Sequence, residues 1–140
     1  MTLNAQQLTT SIALGKAIPE LTLTGSYCFG NTTGGSDIDF FAYATDSNRE
    51  KLKELGFKLG VEAESYKDTN TAYVYYLAGI HVQLVKEYAT KVCAQTFLLA
   101  LPTPLLLAFL DEAKSQKKLI WDWAYQIVLR LKAPEVELEA

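Results

Sequence analysis

Asp37 and Asp39 are the side chains best suited to chemistry in this chain. They stand one residue apart within an apolar run of Ile38, Phe40 and Phe41. On a β-strand alternate side chains share a face, so both carboxylates point one way while Ile38 and Phe40 point the other. Like charges about 6.6 Å apart along a strand repel unless a cation is shared between them. Hard carboxylate oxygens suit Mg²⁺ or Mn²⁺, and Mg²⁺ is commonly held by one or two carboxylates together with phosphate oxygens. The pair therefore anticipates a phosphate-bearing ligand. The plainer reading is a solvated edge strand, with Asp37 closing the turn after Gly34, Gly35 and Ser36.

A glycine-serine turn lies upstream. Gly25 has no Cβ, so the backbone there can approach a phosphate closely or adopt positive φ. Ser26 opens a short helical stretch through Tyr27, Cys28 and Phe29. Its hydroxyl and amide serve equally as a helix cap or as donors to an anion. Together the turn and the acidic strand would hold a triphosphate between N–H donors and a carboxylate-bound cation, which is what phosphoryl transfer requires.

Gly25-Ser26, ten intervening residues, then Asp37-Ile38-Asp39 resembles the signature of the DNA polymerase β-type nucleotidyltransferase superfamily, in particular its minimal and phage-type members. Gly30 matches a glycine that often follows the Gly-Ser pair by four. The resemblance spans roughly residues 20 to 86. It implies a nucleotidyltransferase fold, with Gly25, Ser26, Gly30 and Ser36 at the nucleotide and Asp37 and Asp39 as ligands of catalytic Mg²⁺ or Mn²⁺. The implied substrate is an NTP, most simply ATP, and the implied acceptor a hydroxyl on a protein, an RNA end or a small molecule. Family members usually carry a third carboxylate on a later strand. The matching strand here is Gly79-Ile80-His81-Val82-Gln83-Leu84-Val85, and Gln83 is read as holding that catalytic position. An amide cannot act as a base. That departure keeps a second expectation open, a nucleotide- or protein-binding member without catalysis. A third is an antitoxin-like partner of a helical toxin, docking through the C-terminal helices. His81 shares a face with Gln83; a solvated strand surface accounts for both, and the same face would line a cleft opposite the acid pair.

Composition limits the rest. The chain has 140 residues, 49% of them apolar and 21% charged, which suits one compact domain. A formal net charge of −3 argues against a large, sequence-blind nucleic-acid surface. Cys28 and Cys93 form no CxxC pair, and a lone His81 gives no zinc signature; free, buried or half-buried thiols in a reducing cytoplasm are expected. The N-terminus lacks the pattern of a secretion signal, and the longest apolar run is broken by Pro102 and Pro104, so no membrane span is expected.

These residues need elements to position them. The expected class is α+β, a mixed sheet flanked by helices, with a core over residues 1–86, C-terminal helices over 87–133 and an acidic tail at 134–140. Residues 4–17 pattern as an amphipathic helix with Leu8, Ile12, Ala13 and Leu14 inward. Short strands follow over 21–27 and 36–44. A helix capped by Asp46 or Ser47 ends at Gly56, and an edge strand is expected over 57–65. Residues 71–85 read as a hairpin folded about Ala78-Gly79. Helices are expected over 87–100, from Pro104 to about Lys114, and over 114–131. The last carries Leu119, Ile120, Trp123, Ile127 and Leu131 inward and Lys118, Asp122, Gln126 and Arg130 outward. Tyr73, Tyr75 and Tyr76 are assigned to sheet packing, Trp121 and Trp123 to helix packing. Lys51, Lys53, Lys58, Lys117 and Lys118 are assigned to solvent.

Overall fold

The computed structural model describes residues 5–30, 37–60 and 67–132. Ser36, the turn before it, most of the expected 57–65 strand and the acidic tail fall outside them. The described elements are α1 (Ala5–Ala17), β1 (Thr22–Thr24), α2 (Gly25–Phe29), β2 (Ile38–Tyr43), α3 (Asp46–Glu54), β3 (Lys58–Leu59), β4 (Thr71–Leu77), β5 (Ile80–Val85), α4 (Tyr88–Leu99), α5 (Thr103–Leu110) and α6 (Lys114–Lys132). They form an α+β arrangement around one mixed sheet of order β1-β2-β5-β4-β3. β2 and β5 run parallel; the other neighbours are antiparallel.

Period-two alternation divides the sheet into two faces. Ile38 and Ala42 of β2, Tyr75 of β4, and Ile80, Val82 and Leu84 of β5 turn to one side. There they bury against Leu14, Ile18, Leu52 and Phe57 from the α1 and α3 segments. Asp39, Phe41, His81 and Gln83 turn to the other side, toward α4 and α6. A second cluster of Ala94, Leu98, Phe109, Ala124 and Tyr125 packs α4, α5 and α6 together.

Several helices are rotated or capped differently from the sequence pattern. In α1, Leu8 and Ile12 are half exposed, and Gln7 is buried with Leu14 because its amide donates to the Gly79 carbonyl at 3.2 Å. In α6, Leu119 and Trp123 are exposed while Ala124, Tyr125 and Val128 are buried. The reason is polar: the Tyr125 hydroxyl has a buried partner, and small Ala124 lets α4 approach. Asp122, expected in solvent, accepts from the Thr69 amide and hydroxyl at 2.8 and 2.9 Å. α3 is capped by Thr45, whose Oγ1 accepts from the Asn48 amide at 3.1 Å, and not by Asp46 or Ser47. Tyr76 is exposed, unlike Tyr75. Cys28 is half-buried, which pushes its thiol pKa up, and Cys93 is exposed. No single described helix is long and apolar enough to cross a membrane; α4 and α5 together are, but the chain bends by 117° between them.

A buried polar cluster ties the helices to the segment before β4. Asp68 accepts at Oδ1 from the Asn70 and Thr71 amides and the Thr71 hydroxyl, and at Oδ2 from the Tyr125 hydroxyl at 2.8 Å. Lys91 Nζ lies 3.6 Å from Asp68 Oδ2 and 3.9 Å above the Trp121 ring. Burial holds the Lys91 ammonium below its ordinary pKa range against the pull of Asp68, and burial with the Asp68 charge raises Tyr125 above the phenol range. Removing the carboxylate would leave a buried cation and a buried hydroxyl stripped of their shared acceptor. Asp68→Ala is expected to cost about 3–5 kcal/mol in urea unfolding.

The β4–β5 connection is a two-residue turn with Ala78 at φ 43 and Gly79 at φ 81, the geometry of a type I′ hairpin. Alanine pays for left-handed backbone that asparagine tolerates. Ala78→Asn is expected to raise unfolding free energy by about 0.5–1 kcal/mol, read from the denaturation midpoint.

Candidate functional site

Strand register assembles the site. Thr24 of β1, Asp39 of β2, His81 of β5 and Tyr76 of β4 are successive cross-strand partners, forming one row across the sheet. Thr22, Phe41, Gln83 and Val74 form a second row beside it. The residue opposite Asp39 is therefore His81, and Gln83 lies opposite Phe41. Sequence reading put Gln83 in the third-carboxylate position, but the side chain that meets both aspartates is His81. Its Nδ1 lies 3.4 Å from Asp39 Oδ1 and its Nε2 lies 3.6 Å from Asp37 Oδ2. The side chains of Asp37 and His81 are 48% and 37% exposed, open enough for a ligand to reach them.

Gly25 and Asp39 are in direct contact. Gly25 has φ +66, and a Cβ built there would overlap the Asp39 Oδ2 and come within 2.9 Å of its Cβ and Cγ. α2 must begin with a glycine here because the carboxylate occupies the space a side chain would need. Thr24, just before it, gives no side-chain cap to α2; its hydroxyl donates to Gln95 Oε1 at 2.6 Å. Gln95 Nε2 in turn donates to the Leu23 carbonyl at 3.0 Å, anchoring the end of β1 to α4. The first-turn amides of α2 are thus left without a threonine cap.

A cleft of about 660 Å³ opens over this face, within the usual range for small-molecule sites of roughly 300–1,000 Å³. Gly25 and Ser26 of α2 and Asp39, His81 and Gln83 of the sheet line one side; Lys91, Lys117, Lys118 and Trp121 line it from α4 and α6. Phe29 of α2 packs edge-on against Trp121 with centroids 6.1 Å apart, closing one end. Gly30 has a different role from Gly25. It ends α2 at φ 85, its amide donating to the Ser26 carbonyl at 2.8 Å, and open space surrounds it. Asp37 does not line the cleft; it stands just ahead of β2, beside His81, with the Ile38 amide bonded to the Gly79 carbonyl at 2.9 Å.

The cleft's basic wall was not foreseen. Lys91 is fully buried on the stripe it shares with Ala94, Gln95 and Leu98. A lysine on an otherwise core-facing stripe was the available signal. Lys117 and Lys118, assigned to solvent, are half-buried along the cleft wall, as is Trp121.

Among the described residues no three His, Cys, Asp or Glu side chains form a preassembled metal cage. Mg²⁺ does not need one, since it is typically held by one or two carboxylates completed by substrate phosphates and water. Two oxygen donors on one open strand face, with a glycine cleared for Asp39, fit that mode. No protein-family model, curated protein or solved structure matches the chain.

Gly25→Ala tests the close approach directly. Displacing Asp39 and straining a left-handed φ is expected to cost about 2 kcal/mol in thermal or urea unfolding, whereas Gly30→Ala, with open space around it, pays the backbone term alone, about 1 kcal/mol.

Proposed function

We propose that the cleft binds a nucleoside triphosphate with Mg²⁺ and that the chain is a minimal nucleotidyltransferase, passing a nucleoside monophosphate to an acceptor hydroxyl. The observation that carries this reading is the contact between Gly25 and Asp39, which brings a helix start that Thr24 does not cap and a carboxylate to the same spot. Gly25 and Ser26 would take the phosphates on backbone amides and the Ser26 hydroxyl. Asp37 and Asp39 would hold the cation. When bound, Mg²⁺ neutralises phosphate charge and polarises the transferred phosphoryl group. Lys117 and Lys118 face the same cleft and add positive charge on the helical side. The nucleotidyltransferase fold itself belongs to this proposal; the mixed sheet with helices is compatible with it.

A second reading is a member that binds nucleotide without transferring it, or that serves as the partner of a helical protein. Its support is Gln83, whose amide cannot act as a base for the acceptor hydroxyl where the resemblance expects a carboxylate. The exposed Leu105, Leu107, Leu119 and Trp123 on α5 and α6 are the surface such a partner would use.

Calorimetry with ATP and Mg²⁺ on the wild type and on the Asp37→Asn, Asp39→Asn double variant tests the site. Metal-dependent binding in the wild type and at least roughly tenfold weaker binding in the variant are expected. Equal binding in both would rule out the metal assignment. Label transfer from an NTP, or pyrophosphate release, then separates the two readings: binding with neither product favours the second.

A further inference from the structure

We propose that Tyr76 is the stacking platform for the base of the nucleoside triphosphate, and that the cleft therefore accepts all four bases. The inference rests on reading the cleft as a nucleotide site and goes beyond it by naming the base subsite and the breadth of substrate. It begins from an exposed ring. Tyr76 is 46% exposed on β4, where the neighbouring tyrosines are engaged within the fold. The Tyr75 hydroxyl accepts from Arg49 Nε at 2.9 Å, and the Arg49 guanidinium lies 4.0 Å from the centre of the Tyr73 ring. Among the described residues Tyr76 makes no contact of either kind, yet it lines the cleft.

The ring is supported from one side. Gly60, just past β3, donates its amide to the Val74 carbonyl of β4 at 2.7 Å. A Cβ added to Gly60 would come within 3.2 Å of Tyr76 Cδ1 and 3.7 Å of its Cε1. The ring therefore leans over bare backbone, and a side chain at position 60 would push it away. An aromatic ring laid over glycine is also a way of covering a weak sheet edge. That role occupies one side of the ring and leaves the other to the cleft.

The row across the sheet has the length of a nucleotide. Asp39, His81 and Tyr76 are successive cross-strand partners, so Tyr76 stands two strands from the place where Gly25 meets Asp39. Two strand spacings make about 10 Å. A ribose bridges that interval, with the phosphates at Gly25 and Asp39, the sugar over His81 and the base on Tyr76. Val74, on the same face of β4, and Phe109 and Leu110 of α5 line the cleft with apolar surface suited to a base. Every base has a π face, so a stacking platform binds with little regard to base identity.

Calorimetry of the full chain in Mg²⁺ with ATP, GTP, CTP and UTP, and with inorganic tripolyphosphate as a ligand lacking a base, tests the platform. The four nucleotides are expected to bind the wild type within about tenfold of one another. Tyr76→Leu keeps apolar cover over Gly60 but removes the π face. It is expected to weaken all four nucleotides by about tenfold and to leave tripolyphosphate unchanged, while Tyr76→Phe matches the wild type. Unchanged nucleotide binding in Tyr76→Leu, an equal loss for tripolyphosphate, or a wild-type preference for one base beyond that range overturns the proposal. If nucleotide binding still depends on Asp37 and Asp39 in those cases, the nucleotide reading stands and only the base subsite falls. If neither ATP nor tripolyphosphate binds the wild type, both fall together.

Discussion

The parallel ladder between β2 and β5 is the only parallel pairing among the described strands, and the cleft mouth depends on it. Antiparallel neighbours can be joined by a short turn, but a parallel pair needs a crossover. Here α3, β3 and β4 fill the chain between the two strands. Because side chains alternate with a period of two, a slip of one residue would send Asp39 and His81 to opposite faces. Ile38, Ala42, Ile80, Val82 and Leu84 prevent that slip, since each would have to leave the core. The apolar half of each strand thereby holds the polar half in place.

The opposite face uses a different kind of contact. A sheet face carrying Thr24, Asp39, His81 and Gln83 cannot be sealed by leucines alone, so the helices meet it partly through hydrogen bonds. Gln95 reaches the end of β1, Lys91 and Tyr125 reach Asp68, and Asp122 reaches Thr69. These bonds hold α4 and α6 over the sheet while leaving a cavity between them. An all-apolar interface would have collapsed and filled the space.

Much of this was legible from sequence. The Gly25-Ser26 turn, the acidic strand, the Ala78-Gly79 hairpin and the C-terminal helices all lie where local pattern puts them. Spacing alone could not give register between distant strands. Nothing within residues 80–85 says whether His81 or Gln83 meets Asp39, because both share a face and the choice is made by a partner some forty residues away. Helix faces failed for a related reason. α6 is apolar around most of its circumference, so its orientation follows from Tyr125 needing Asp68, a partner over fifty residues earlier. In α1, Gln7 took an inward position that hydropathy would assign to Leu8, because it reaches the Gly79 carbonyl. Lys91 was legible only as an anomaly, a charge on a core-facing stripe, and its meaning appeared once the Trp121 ring and the Asp68 carboxylate were seen around it.

Among the described residues both flanks of the sheet end in short ladders, Thr22–Thr24 on one side and Lys58–Leu59 on the other. A flank that brief offers a neighbouring chain few unpaired amides and carbonyls, so strand-to-strand accretion finds little purchase there. The stickier ground is helical, where Leu105, Leu107, Leu119 and Trp123 face outward. Crowding of this protein would therefore bring molecules together through these helical surfaces.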